Sequence, residues 1–213
     1  MALFSRKEKV KKVWYREYGE ALFFALILAL IIRTFLFQAF KIPSGSMEDT
    51  LLIGDHLLVN KFIYGTRIPF TDRQFLTLRD PERGDIIVFE FPPDRDKPFF
   101  QRRDFIKRIV GLPGDRVEIR EKQLWVNDTL YELEQAVHKD SVVQEGKRDF
   151  YGPFTVPENH YFVLGDNRDY SLDSRFWGFV PEKTIKGLAF IKYWSWDRER
   201  KLPRWSRIAR PIR

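Results

Sequence analysis

From Ala21 to Phe37 the chain reads ALFFALILALIIRTFLF, with Arg33 as its only charge. A helix of this length rises roughly 25 Å, at the short end of what crosses the hydrocarbon core of a bilayer. Arg33 lies four residues from the far end, so its guanidinium can reach the interface instead of the midplane. Trp14, Tyr15 and Tyr18 precede the run, as an aromatic belt would. A cleaved secretory signal is one rival, but Gln38-Ala39-Phe40-Lys41 follows where an A-x-A site would be needed. A helix buried in a soluble core is the other. The expectation is one uncleaved anchor over 21–40.

Charge sets its direction. Of the net +7, residues 1–20 hold six Lys/Arg against three Glu, and 192–213 hold eight against Asp197 and Glu199, leaving the body at −2. The positive-inside rule places the N-terminus in the cytoplasm and 41–213 outside. Basic ends on an acidic body suit a membrane surface and not a nucleic-acid-binding domain. The absence of Cys excludes a disulfide scaffold, a thiolate zinc site, an iron–sulfur cluster and a Cys nucleophile. His56, His138 and His160 have no metal-ligand spacing, and no phosphate-binding or dinucleotide motif occurs, so neither cofactor nor metal is expected.

After the anchor, short β-branched or aromatic runs recur between turn residues. Strands are expected at 56–62, 85–91, 105–110, 116–120, 123–126, 130–133, 161–164 and 188–193, with a hairpin turn at Asn127-Asp128 and loops at 66–82 and 92–103. The fold class is mostly β.

Two segments carry chemistry. Ile42-Pro43-Ser44-Gly45-Ser46-Met47 puts two hydroxyls around a glycine, and Ser46 lies within roughly 30 Å of the end of the anchor even if the chain is fully extended. In Asp104-Phe105-Ile106-Lys107-Arg108-Ile109-Val110, strand alternation gives Lys107 the face of Phe105 and Ile109. If that face is an exposed edge, the lysine is unremarkable. If it is buried, lowering the amine pKa from about 10.4 to about 8 costs roughly 3 kcal/mol and yields a neutral base for a serine hydroxyl.

These segments belong to five blocks in order: Pro43 to Met47, Gly54 to Gly65, Arg83 to Phe89, Lys107 to Asp115, and Gly165 to Gly178. With them the chain resembles bacterial type I signal peptidases (leader peptidases), membrane-anchored Ser-Lys proteases. The resemblance implies a coiled antiparallel-sheet catalytic domain (41–115 and 161–195), a small inserted β subdomain (116–160) and a basic Trp/Arg-rich tail (196–213). It implies Ser46 as nucleophile, Lys107 as general base, and Ser44 as an oxyanion donor beside the Ser46 backbone N–H. Ser171 would orient the lysine amine, with Asp173 and Arg175 as a charged pair holding that segment, and Asp166 and Arg168 structural in the same way. Phe40, Ile42, Met47, Leu51, Val88 and Ile106 match positions lining shallow pockets that admit small residues before the scissile bond; ordinary core packing is the alternative for each. Glu48-Asp49 and Tyr170 depart from the common family pattern.

The implied function is release of signal peptides from preproteins at a bacterial inner membrane. The partners are then preprotein signal peptides and the lipid bilayer, with no nucleic acid and no metal. An anchored extracytoplasmic scaffold whose Ser-Gly-Ser is only a turn is the alternative. The tail, with Trp among Arg from Tyr193 to Arg213, suits an anionic membrane interface or a solvated end equally.

Overall fold

The structure, a computed structural model, describes residues 14–67 and 74–212. Most of the basic N-terminal segment (1–13), the middle of the expected 66–82 loop and Arg213 lie outside the described residues.

Helix α1 (Trp14–Ile31) continues through a π-helical turn, Ile32–Leu36. Tyr15–Leu36 is long and apolar enough to cross a membrane, at about 33 Å. Its side chains are all exposed, which separates it from the buried core helix that would pass the same test by length. The helix stops four residues before the expected end of the anchor. Phe37–Lys41 is strand β1, paired with Lys41 opposite His56 and Phe37 opposite Asn60. Phe37 to Phe40 look like more anchor by hydropathy, but sheet hydrogen bonds to β2 hold them extended.

The strands are β1, β2 (Asp55–Asn60), β3 (Tyr64–Arg67), β4 (Gln74–Thr77), β5 (Ile86–Glu90), β6 (Asp104–Gly111), β7 (Arg116–Arg120), β8 (Gln123–Val126), β9 (Thr129–Leu130), β10 (Tyr151–Thr155), β11 (His160–Leu164), β12 (Val180–Pro181), β13 (Ile185–Asp197), β14 (Leu202–Pro203) and β15 (Arg210–Pro211). The main sheet runs β1-β2-β13-β5-β6-β11-β12, with β14 and β15 also on β13. Its named pairings are all antiparallel. Irregularities at 185–187, 189–191 and 192–194 let the thirteen-residue β13 coil past several partners. A Cβ at Gly187 would overlap the Asn60 carbonyl, so glycine allows the close approach of β2 and β13.

Strand β5 is covered on both faces, so its Ile-Ile-Val-Phe run is continuous and not alternating. Ile86 and Val88 face a core with Ile42, Met47, Leu51, Leu57 and Val59. Ile87 and Phe89 face another with Ile109, Tyr161 and Val163.

A separate four-stranded sheet, β10-β7-β8-β9, lies within the expected inserted region, but His160 already belongs to the main sheet. Its core is not independent: Val117, Ile119 and Leu124 pack with Val110, Phe162 and Leu164 of the main sheet. Two local expectations fail. The strand expected over 130–133 ends at Leu130, since only Thr129 and Leu130 find partners on β8. The expected 66–82 loop includes a hairpin, β3 against β4, with Tyr64 opposite Thr77. The tail is part of the domain and not a free end, because β14 and β15 pair with β13 and Arg207 Nη2 bonds the buried Asp55 carboxylate at 2.7 Å.

Candidate active site

Ser46 sits in the turn after β1, and Lys107 in the middle of β6, opposite Ile87 on β5. Sixty-one residues separate them, yet Lys107 Nζ lies 2.6 Å from Ser46 Oγ. The lysine is 2% exposed, and its amine is 5.7 Å from the centre of the Phe105 ring, so the expected apolar face is the observed one. Burial pushes the Lys107 pKa down to about 8; Asp173 and Asp166 draw it upward and Arg175 opposes them.

The Gly165–Arg175 segment closes over the turn that carries Ser46. The Asn167 backbone N–H donates to the Ser46 carbonyl at 3.2 Å, and its Nδ2 donates to the Gly45 carbonyl at 3.1 Å. A Cβ on Gly165 would overlap both the Ser46 carbonyl and Ser171 Oγ, so this crossing needs glycine. Asp173 accepts from Arg175 Nε at 2.8 Å and from the Gly165 N–H at 3.1 Å. Arg175 also donates to the Arg148 and Arg168 carbonyls. The charged pair expected at 173 and 175 therefore braces this segment.

The partner of Asp166 is not Arg168. Arg108 forks onto it, Nε to Oδ1 at 2.8 Å and Nη2 to Oδ2 at 2.7 Å, and Thr50 Oγ1 adds a third bond at 2.6 Å. Arg108 was legible only as a neighbour of Lys107; an arginine in the middle of a core strand needs a carboxylate, and that signal pointed to it.

Ser171 is buried beside Gly165, and among the described residues its Oγ has no hydrogen-bond partner. No hydrogen bond joins this hydroxyl to the lysine amine, which bonds Ser46 Oγ.

A cleft of about 630 Å³ opens over the pair, lined by Ser44, Ser46, Ile106, Lys107, Asn167 and Tyr170 among others. Ser44 is exposed at its rim. Of the six expected pocket residues only Ile106 lines this cleft. Ile42, Met47, Leu51 and Val88 are at most 3% exposed and form the core beneath it, with Phe40 packed at that core's edge. Sequence could not tell a pocket wall from the layer under it, since both are apolar. Across the cleft Lys139 reaches Glu48 at 2.7 Å, a pairing the sequence reading missed. Strand β11 pairs β6 only from Arg108 onward, so among the described residues Asp104–Lys107 has a strand neighbour on the β5 side alone. An extended peptide can add there by main-chain hydrogen bonds.

Residues 15–194 match the signal peptidase family, peptidase S26. The chain is 38% identical to the signal peptidase I of Pseudomonas aeruginosa over 226 residues, covering 90% of this chain and 78% of that protein. It is 40% identical to a probable signal peptidase I-2 of Synechocystis over 189 residues, 89% of this chain and 78% of that protein. Among solved structures, a signal peptidase I from Enterococcus faecalis matches with a TM-score of 0.40 and 35% identity, over 52% of this chain and 97% of that one.

Proposed function

Given that this chain belongs to the signal peptidase family, peptidase S26, and is a serine endopeptidase that cleaves signal peptides, we propose that Ser46 is its nucleophile and Lys107 its general base. The observation that carries this reading is the 2.6 Å contact between a buried amine and a half-buried hydroxyl at the floor of the cleft. A neutral lysine accepts the Ser46 Oγ proton as the oxygen attacks the scissile carbonyl. The ammonium so formed returns the proton to the leaving amine, and the acyl group stays on Ser46 as an ester. A water, deprotonated by the same amine, then hydrolyses that ester and frees Ser46.

The oxyanion that develops in each step needs donors outside the dyad. Ser44 Oγ and the Ser46 backbone N–H fill that role in this reading, and each such donor stabilises the transition state by roughly 3–4 kcal/mol. Gly165 and the Asp173–Arg175 pair position the serine from outside the cleft, and Asn167, which bonds the Ser46 and Gly45 carbonyls, does so from its lining. The substrate strand lies along the open side of Asp104–Lys107, and the shallow floor over the Met47 and Leu51 core excludes large side chains before the scissile bond.

The pH profile follows from the lysine. With a pKa of about 8, the neutral fraction and kcat/KM rise about tenfold per pH unit below that value and level off above it. Lys107→Arg tests the base directly, because a guanidinium stays protonated and cannot accept the serine proton. That variant and Ser46→Ala should each lose activity by a factor on the order of 10⁴ or more while unfolding at a temperature near that of the parent. A Lys107→Arg enzyme with more than a tenth of parental turnover would exclude the lysine as base.

The exposed apolar helix supports a membrane location. In our reading α1 crosses the bacterial inner membrane once, with the N-terminus in the cytoplasm and the catalytic domain outside. Added protease should then spare the catalytic domain in sealed inverted vesicles and digest it once detergent opens them. Digestion in the sealed vesicles would reverse the orientation.

A further inference from the structure

The two most exposed large apolar side chains among the described residues are not on the anchor. They are Phe99 and Phe100, at 75% and 82%, in the connection between β5 and β6. Adjacent exposed phenylalanines are uncommon on a soluble surface and mark a contact site. Nor does the connection lack a place to bury aromatics. Phe91, at its base, is 7% exposed and stacks on Phe105 with ring centres 4.1 Å apart.

Sheet register shows where this connection lies. Phe37, the first residue after the membrane-spanning helix, pairs with Asn60, which pairs with Leu188 on β13. Strand β13 extends beyond that level to Ile185, which lies opposite Phe89 on β5. Strand β5 therefore runs past the level at which the anchor joins the sheet, and residues 91–103 emerge at that edge. Side chains trace the same route: Lys61 Nζ donates to the Thr34 carbonyl of the anchor at 2.7 Å. The Lys61 pKa is lowered by burial and then by the positive charge of Lys186, and Lys186 Nζ lies 5.9 Å from the Phe99 ring centre.

The connection is braced with its apolar tip outward. Pro98 opens a 3-10 turn over Phe99–Gln101, Arg103 Nε bonds Asp94 at 2.6 Å, and Arg102 Nη1 bonds Glu90 at 3.2 Å. Residues 92–103 carry four cations against two carboxylates. Aromatic side chains flanked by Lys and Arg are the composition of a segment that enters an anionic bilayer interface.

We propose that Phe99 and Phe100 insert into the anionic lipid interface beside the anchor, giving the catalytic domain a second contact with the membrane. The inference rests on α1 spanning the bilayer. Asp104, Phe105 and Ile106, which line the cleft, follow this connection directly on β6. A lipid contact at 99–100 thus holds the cleft mouth against the surface from which a preprotein's cleavage site emerges, where a single point of attachment leaves the domain free to tilt.

The chain has no cysteine, so single-cysteine labelling is clean. Phe100→Cys, Leu28→Cys and Val142→Cys, each carrying an environment-sensitive fluorophore, are placed in full-length protein in vesicles of phosphatidylcholine and phosphatidylglycerol. The label at 100 should shift to the blue, lose intensity to nitroxide-bearing lipid and resist aqueous iodide, as the label at 28 does in the anchor. The label at 142, on an exposed side chain of the inserted region, should show the reverse. A label at 100 that behaves like 142 while 28 is quenched by lipid overturns this inference alone. If 28 also reports water, the anchor reading falls with it. A protein-docking role for the two phenylalanines predicts the first of these failures, since the vesicles hold no other protein. In addition, the Phe99→Ser/Phe100→Ser enzyme should lose kcat/KM on a membrane-embedded preprotein and keep parental kcat/KM on a short peptide in detergent; equal values on both substrates would also overturn it.

Discussion

Two neighbouring residues of β6 make opposite use of burial. Arg108 is 3% exposed and Lys107 is 2% exposed. The arginine meets a carboxylate that accepts two of its N–H groups, and the Gly84 carbonyl takes a third. The lysine meets a hydroxyl and lies over an aromatic ring. Both have left water, but only the arginine has been given a fixed counter-charge at hydrogen-bond distance. Its guanidinium becomes a brace between β6 and the Gly165–Arg175 segment, while burial moves the lysine amine toward neutrality. The difference shows how one strand can supply a structural cation and a base side by side: the partner, and not the depth, decides.

Removing the counter-charge should have the larger effect. Asp166→Ala strands the Arg108 guanidinium in the core and should lower unfolding free energy by about 3–5 kcal/mol in urea titrations. A loss below 1 kcal/mol would mean that water or another carboxylate reaches Arg108, and the contrast with Lys107 would collapse. Lys107→Met should act in the other direction. The folded lysine pKa of about 8 lies below its unfolded value, so the unfolded chain binds more protons between about pH 8 and 10.5. The parent's penalty is therefore complete below pH 8 and vanishes as pH rises past 10.5. At pH 7 the methionine variant should be more stable by about 3 kcal/mol, with the advantage gone at high pH, even though it is inactive. An advantage that does not change with pH would point to packing instead of charge.

The smallest effect is expected at Ser171. Its hydroxyl is buried and has no partner among the described residues, so Ser171→Ala should change stability by less than about 1 kcal/mol. The midpoint of the pH–rate profile should stay near 8. A shift of that midpoint would show that the hydroxyl reaches the amine during turnover, as the family resemblance implied.

Local pattern made part of this molecule readable in advance. The strands at 116–120 and 123–126 fall where alternation and the Asn127-Asp128 turn put them, because each depends mainly on its nearest neighbours. Strand β10 was missed: Tyr151-Gly152-Pro153 reads as a turn, and its place beside β7 is decided by the rest of the sheet. Phe37 to Phe40 were misassigned for the converse reason, since hydropathy cannot distinguish the last turn of an anchor from the first strand of a core. The charge of the tail was visible in the sequence, whereas the carboxylate that receives Arg207 lies 152 residues earlier.

The sequence by itself determined the membrane-length helix, the β character of the body and the residue types able to perform serine–lysine chemistry. Each of these is a property of composition or of short-range period. The tertiary structure alone decided that Lys107 and Ser46 touch, that Asp166 belongs to Arg108, and that Met47 and Leu51 lie under the cleft instead of in its wall. Desolvation and pairing are set by which atoms surround a group in three dimensions, and those atoms come from strands far apart along the chain.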